Sequence, residues 1–154
     1  MRRRRSNVHC AEIRLEKLLA APKTIAGVDV SSNRFSNELY AGVVVLSFPD
    51  LAETGRALAK ATTNFSYVPG FLSFREIPVL LKAFKKLKTK PDVLFVDGQG
   101  IAHPRRMGIA SHLGLVLDTP SIGVAKRVLY GVGREPAAAA GTAFLCRLAA
   151  RTTW

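Results

Sequence analysis

Cysteine is scarce: the 154 residues hold only Cys10 and Cys146. Their number and spacing suggest neither a disulfide framework nor a zinc site. No apolar run approaches the roughly 18 residues of a membrane span, so a membrane protein is not expected. "MRRRR" starts with charge but has no apolar stretch behind it, which excludes a secretory signal and leaves a reducing, cytoplasmic compartment as the default. Internal repeats are absent. Acid is also in short supply, with 11 Asp and Glu against 23 Lys and Arg, a net charge of +12. That excess favours a polyanionic partner, because neutralising phosphates releases condensed counterions. An acidic membrane surface is the competing partner, and solubility alone is the plain alternative.

What is present suits a packed domain. The chain is 48% hydrophobic and 22% charged, enough for one domain with a real core. Residues 1–7 read as a basic disordered arm, 8–130 as the core and 131–154 as an atypical tail of low complexity with no clear strand. Val8 to Ala21 has the apolar spacing of an amphipathic helix, with Pro22 beyond it. "TIAGVDVSSN" reads as a buried strand, "LYAGVVVLSFPDL" as a second and "ALAKATTNF" as a weaker third, joined by short polar turns into an antiparallel meander. A helix follows from about Ser73 to Lys88, then the strand "PDVLFVDGQG", apolar on both faces as parallel strands are. A short helix over Arg106 to Leu117 and a last strand in "SIGVAKRVL" complete the order βββ-α-β-α-β. That order implies an α/β fold, a mixed sheet flanked by helices.

Two of these strands end alike, in an apolar run and then Asp: Asp29 after "TIAGV" and Asp97 after "VLFV". A carboxylate at the end of a buried strand costs several kcal/mol, on the order of the price of any unpaired charge, unless it is paired, capped or holding a cation. Capping a turn is the plain alternative for each Asp, and Asp97-Gly98 is a good turn dipeptide. Neighbouring strands would instead bring two like charges together, a repulsion that a divalent cation relieves. Glu76 is the third candidate. Ser73-Phe74-Arg75-Glu76 matches a capping box, but Pro78 disfavours that register, and a helix beginning two or three residues later would free Glu76. Both readings stand. In "GQGIAHPRRMGIASH", Gly98 and Gly100 permit close backbone approach, Arg105 and Arg106 suit phosphate, and His103 suits acid, base or phosphate contact. Lys126 sits at another strand end, placed to hold a scissile phosphate or merely solvated. These parts together describe metal-assisted phosphodiester hydrolysis.

The stretches "GVDVS" (Gly27 to Ser31), "YVPGFLSFRE" (Tyr67 to Glu76), "PDVLFVDGQGIAHPRRMGIASHLG" (Pro91 to Gly114) and "SIGVAK" (Ser121 to Lys126) resemble endonuclease V, the inosine-directed nuclease of the ribonuclease H-like superfold. The likeness runs from about Ala11 to Gly141. It implies a ribonuclease H-like mixed sheet and Asp29, Glu76 and Asp97 as ligands of Mg²⁺, with Mn²⁺ as a substitute. It also implies Tyr67 and Pro69 as a wedge, Gly70, Leu72, Gly98 and Gly108 as the lining of a hypoxanthine pocket, and Arg75, His103 and Lys126 near the lesion or the scissile phosphate. The implied reaction cuts the second phosphodiester bond 3′ to deoxyinosine, or to inosine in RNA, by a monomeric DNA-repair enzyme. "TAFLCRLAARTTW" departs from the family pattern and reads as a shifted frame or early end. The implied consequences are missing C-terminal elements, a missing late His or acidic residue, and exposed sheet and helix faces. The alternative function is an inosine-binding fragment impaired in cutting.

Overall fold

The computed structural model describes residues 12–16, 18–32, 36–68, 70–133 and 146–147. Three strands come first: β1 (Thr24–Ser32), β2 (Glu38–Ser47) and β3 (Glu53–Thr62). They are followed by α1 (Leu72–Phe84), β4 (Val93–Asp97), α2 (Ile109–Leu117) and β5 (Ser121–Val124). The main sheet runs β3-β2-β1-β4-β5. β1, β2 and β3 pair antiparallel, as the short polar turns imply, while β4 lies parallel between β1 and β5. The β1–β4 pairing is the decisive step, because it sets two distant strands side by side with their C-terminal ends at one edge.

The period-2 pattern of each strand divides the sheet into two faces. Ala26, Val28, Leu39, Ala41, Val43, Val45, Leu94 and Val96 point to one side and form a core with Val79, Leu80, Ala83, Ala110 and Leu113 of the two helices. The other face carries the row Val44, Gly27, Phe95 and Ile122, one residue from each of four adjacent strands. Tyr40, Val44, Leu58, Phe95, Ile122 and Val124 are exposed on it. Both helices therefore cover a single face, and Asp29 and Asp97 belong by alternation to the open one. A polar clasp ties the base of the parallel pair: Asp92 Oδ2 accepts from the Lys23 N–H at 2.8 Å, the Thr24 N–H at 2.9 Å and the Thr24 hydroxyl at 3.1 Å.

Several expectations need correction. Residues 12–16 and 18–21 form no α-helix, and Leu15, Leu18 and Leu19 are exposed. The remaining positions of the helix expected over Val8 to Ala21, like the basic arm, lie outside the described residues. An apolar stripe of this length holds a helix only when it is buried, since short isolated helices are marginal in water. β3 begins four residues before "ALAKATTNF", because pairing with β2 recruits a segment with little strand pattern of its own. β5 covers only the first four residues of "SIGVAKRVL", the length that pairs with β4. The tail is not wholly without strand: β6 (Val132–Gly133) and β7 (Cys146–Arg147) make a separate two-residue ladder.

α1 starts at Leu72, earlier than either expected register. Ser73 is therefore no N-cap, and the residue that flanks the helix, Phe71, makes no side-chain cap. Pro78 lies inside the helix, leaving the Phe74 carbonyl without its usual donor. Phe74 and Pro78 share an exposed face of the helix one turn apart, where a proline is better tolerated than on the buried side.

Candidate active site

Asp29 and Asp97 occupy adjacent parallel strands, one step past the last paired couple, Val28 and Val96. Both are exposed. Asp29 also pairs with Gly42 and Asp97 with Val124, so neither carboxylate faces a bulky acidic neighbour across its ladder. Asp29 Oδ1 accepts from the Val30 N–H at 2.7 Å. A cavity of about 510 Å³ opens beside Asp29 on the uncovered face, lined also by Ser31, Tyr40, Gly42, Leu58 and Lys60.

Glu76 comes from the opposite, helical side and is 8% exposed. Burial first, then the charges of Asp29 and Asp97, push its carboxyl up from 4.5 to about 7, while the Arg75 guanidinium pulls the other way. A folded-state value above the unfolded one means that protonated Glu76 favours the native state. Its contribution is complete below about pH 4.5 and is lost as pH rises through about 7. The whole shift corresponds to about 3 kcal/mol, and solvent access trims this to roughly 1–2 kcal/mol. In metal-free buffer, wild-type stability should therefore fall relative to Glu76→Gln between those pH values, a difference that paired urea melts at pH 4.5, 6 and 7.5 will measure. A flat difference would remove the electrostatic reading of Glu76.

The oxygen donors suit a hard divalent cation, which takes one or two carboxylates and fills its remaining positions with water and phosphate. The repulsion felt by Glu76 is also what such a cation relieves. Among the described residues no three His, Cys, Asp or Glu side chains close into a ready-made cage. The site is an open edge with acid on two sides.

The neighbouring surface is made by two loops. In the first, the Phe71 N–H donates to the Val68 carbonyl at 2.9 Å, closing a turn in which Gly70 has φ +79°. A side chain is strained at that angle, which accounts for the glycine. Tyr67 is 65% exposed, Leu72 is half-buried, and Pro69 lies outside the described residues. The second loop runs from Gly98 to Gly108. Its glycines let main chain meet main chain: the Gly108 N–H donates to the Gly100 carbonyl at 2.8 Å, the Ala110 N–H to Gln99 O at 3.1 Å, and the Gly98 N–H to Val124 O at 2.8 Å.

The loops touch through His103 and Arg105. His103 is buried, and its Nδ1 accepts from the Arg105 N–H at 3.2 Å. Burial, then the Arg105 charge, holds the imidazole below its ordinary value and hence neutral at pH 7. The Arg105 guanidinium donates to the Gly70 carbonyl and lies on the Phe71 ring, with Cζ 3.7 Å from the centroid. Lys126 is exposed just beyond β5.

Arg75 lies inside the fold. It is 6% exposed, and its guanidinium donates to the Phe65 carbonyl and, at 3.2 Å, to Ser36 O. It thus braces the approach to Tyr67 from within. Ser73 donates to or accepts from His112 Nδ1 at 3.0 Å, and the Phe74 ring meets His112 edge-on at 5.2 Å, so His112 is a packing residue between the helices. Sequence reasoning assigned no role to Phe71 or Gly123. Gly123 packs against the Gly98–Gly100 backbone, where a Cβ would come 2.4 Å from Gly100 N. A glycine inside a strand pattern was the available signal for it; Phe71 offered none.

A family profile described as endonuclease V matches residues 8–152, further into the tail than Gly141. An endonuclease V of Trichormus variabilis is 54% identical over 118 residues, 77% of this chain and 53% of that one. One from Dictyoglomus thermophilum is 54% identical over 112 residues, 73% of this chain and 48% of its own. The chain thus spans about half the length of these curated relatives. Among solved structures, endonuclease V of Streptomyces avermitilis superposes with a TM-score of 0.80 at 37% identity, over 90% of this chain and 61% of that one. The Ciona intestinalis enzyme, solved with a 24mer DNA containing an inosine followed by a ribo-adenosine, gives 0.65 at 31% identity, over 79% of this chain and 51% of its own. These endonuclease V structures share the ribonuclease H-like mixed sheet found here.

Proposed function

The chain belongs to the endonuclease V family, and on that premise we propose that it is a metal-dependent endonuclease of DNA repair directed at deoxyinosine. The observation that carries this reading is the meeting of two strand-end aspartates with a buried, charge-repelled glutamate, next to an exposed aromatic turn. Asp29, Asp97 and Glu76 would hold Mg²⁺, or Mn²⁺ in its place. The bound cation would lower the pKa of a water and offset charge building on the phosphate.

The remaining roles fall to this chain's own groups. Tyr67, projecting from a turn braced on both sides, enters beside the lesion and occupies the space of the extruded base. Extrusion costs a few kcal/mol, about the strength of a stacked pair, and least at a mispaired base, which itself favours deaminated adenine. The pocket for hypoxanthine is offered by main chain at Gly70, Gly98 and Gly108 and by Leu72, with neutral His103 behind it. Lys126 supplies a cation toward the phosphate. Water attacks phosphorus at the second bond 3′ to the lesion, the 3′ oxygen leaves with a proton, and the ends are 3′-hydroxyl and 5′-phosphate. Inosine in RNA offers the same base and is a candidate substrate. A monomer in the cytoplasm is consistent with this work, and no helix among the described residues is long and apolar enough to cross a membrane.

The test is a duplex with one deoxyinosine, incubated with Mg²⁺ and resolved on a denaturing gel. One nick at the stated bond, absent from the adenine control, is expected. Inosine-selective binding without a nick would support the alternative, a chain that reads the lesion and does not cut.

A further inference from the structure

We propose that Arg105 is a positioning residue, a latch that holds the wedge turn in register with the glycine loop, and not a phosphate ligand. The proposal rests on the reading of Tyr67 as a wedge. Arg75 braces the approach to the Tyr67 turn at Phe65, but the turn itself shows, among the described residues, one internal hydrogen bond, a glycine at φ +79° and a helix start without a side-chain cap. Such a segment has several conformations open to it, each ordered residue costing about 1–2 kcal/mol in entropy.

Arg105 supplies the missing restraint in two directions at once. Its guanidinium donates to the Gly70 carbonyl, and its flat face covers the Phe71 ring at 3.7 Å. Its own backbone is fixed by the hydrogen bond to buried His103. A Cβ at Gly70 would lie 3.5 Å from Arg105 Nη2 and 3.8 Å from His103 Nε2, so the His103–Arg105 pair is seated directly on the turn. A guanidinium committed to a carbonyl and a ring is not the outward fork that clamps phosphate. Lysine would keep the charge but cannot lie flat on the ring while donating in its plane. Charge and latch are therefore separable by substitution.

The measurement is amide hydrogen exchange across residues 66–75 in wild type, Arg105→Lys and Phe71→Leu, together with affinity for matched inosine and adenine duplexes with Ca²⁺ present. The Phe71 amide, bonded to Val68, reports the turn directly. Expected are exchange at least about tenfold faster in both variants, with β1 and β4 peptides unchanged, and a similar drop in the inosine-to-adenine affinity ratio. Wild-type exchange in Arg105→Lys would overturn the latch. So would an equal loss of affinity for both duplexes with the ratio kept, the mark of a phosphate contact. Should Phe71→Leu fail to fold, the exposed Arg105 still carries the test. A wild type with no inosine preference sinks the proposed function, and the exchange arm decides the latch regardless.

Discussion

Asp97→Asn should leave a protein that still binds inosine-bearing DNA and no longer cuts it. The carboxylate stands at the end of the parallel strand β4, exposed, one step beyond the residue that pairs with Val28 of β1. Asparagine keeps its shape and its place beside Val124. The substitution removes one of the two charges that make this edge attractive to a cation. Stability should hardly move, within about 0.5 kcal/mol, as for most exposed positions. Cleavage should fall by more than about 10²-fold, the scale at which losing even an outer partner of a metal ligand is felt. The same change takes away part of the repulsion on Glu76, whose pKa should drop below the wild-type value of about 7. Single-turnover cleavage in Mg²⁺, with anisotropy binding in Ca²⁺, gives both numbers. Cutting within tenfold of wild type would remove Asp97 from the metal site and return it to the role of a turn residue.

Gly108→Ala should have the largest effect on the fold. Gly108 has φ −74° and ψ 179°, angles that any residue adopts, so the objection is space alone. A Cβ there would sit 2.1 Å from Gln99 O, 2.6 Å from the Gln99 carbonyl carbon and 2.7 Å from Gly100 O. All three are main-chain atoms, and none can rotate away. The loop must move, straining the bonds from Gly108 to Gly100 and from Ala110 to Gln99. Overpacking of this severity costs about 3 kcal/mol or more, which in a chain of this size lowers Tm by roughly 6–12 °C. Gly27→Ala is the matched control, since a Cβ at Gly27 meets nothing within 4 Å. A calorimetric scan showing both variants near wild type would mean the two loop segments are less closely apposed than described. Because the loop joins Asp97 to His103, Gly108→Ala should also weaken inosine selectivity.

The local parts of this molecule were readable from the chain. Alternating β-branched residues mark β1 and β2, the Lys-flanked apolar stripe marks α1, and Asp29 and Asp97 stand out because each ends an apolar run. Motif likeness named the family, and the family profile agrees. The stripe expected over Val8 to Ala21 misled at its described residues, 12–16 and 18–21, because spacing specifies a face without supplying a surface for it.

What the sequence by itself determined is therefore the kind and order of the elements from β1 to β5, the acids at their ends and the family. Tertiary structure alone decided the parallel pairing that sets Asp29 beside Asp97, the burial that raises Glu76, and the partners of the two arginines. Arg75 reaches a carbonyl 39 positions away and Arg105 one 35 positions away. Periodicity and turn chemistry act over a few residues. A long, flexible cation takes whichever acceptor the completed fold brings near, and no local pattern encodes that choice.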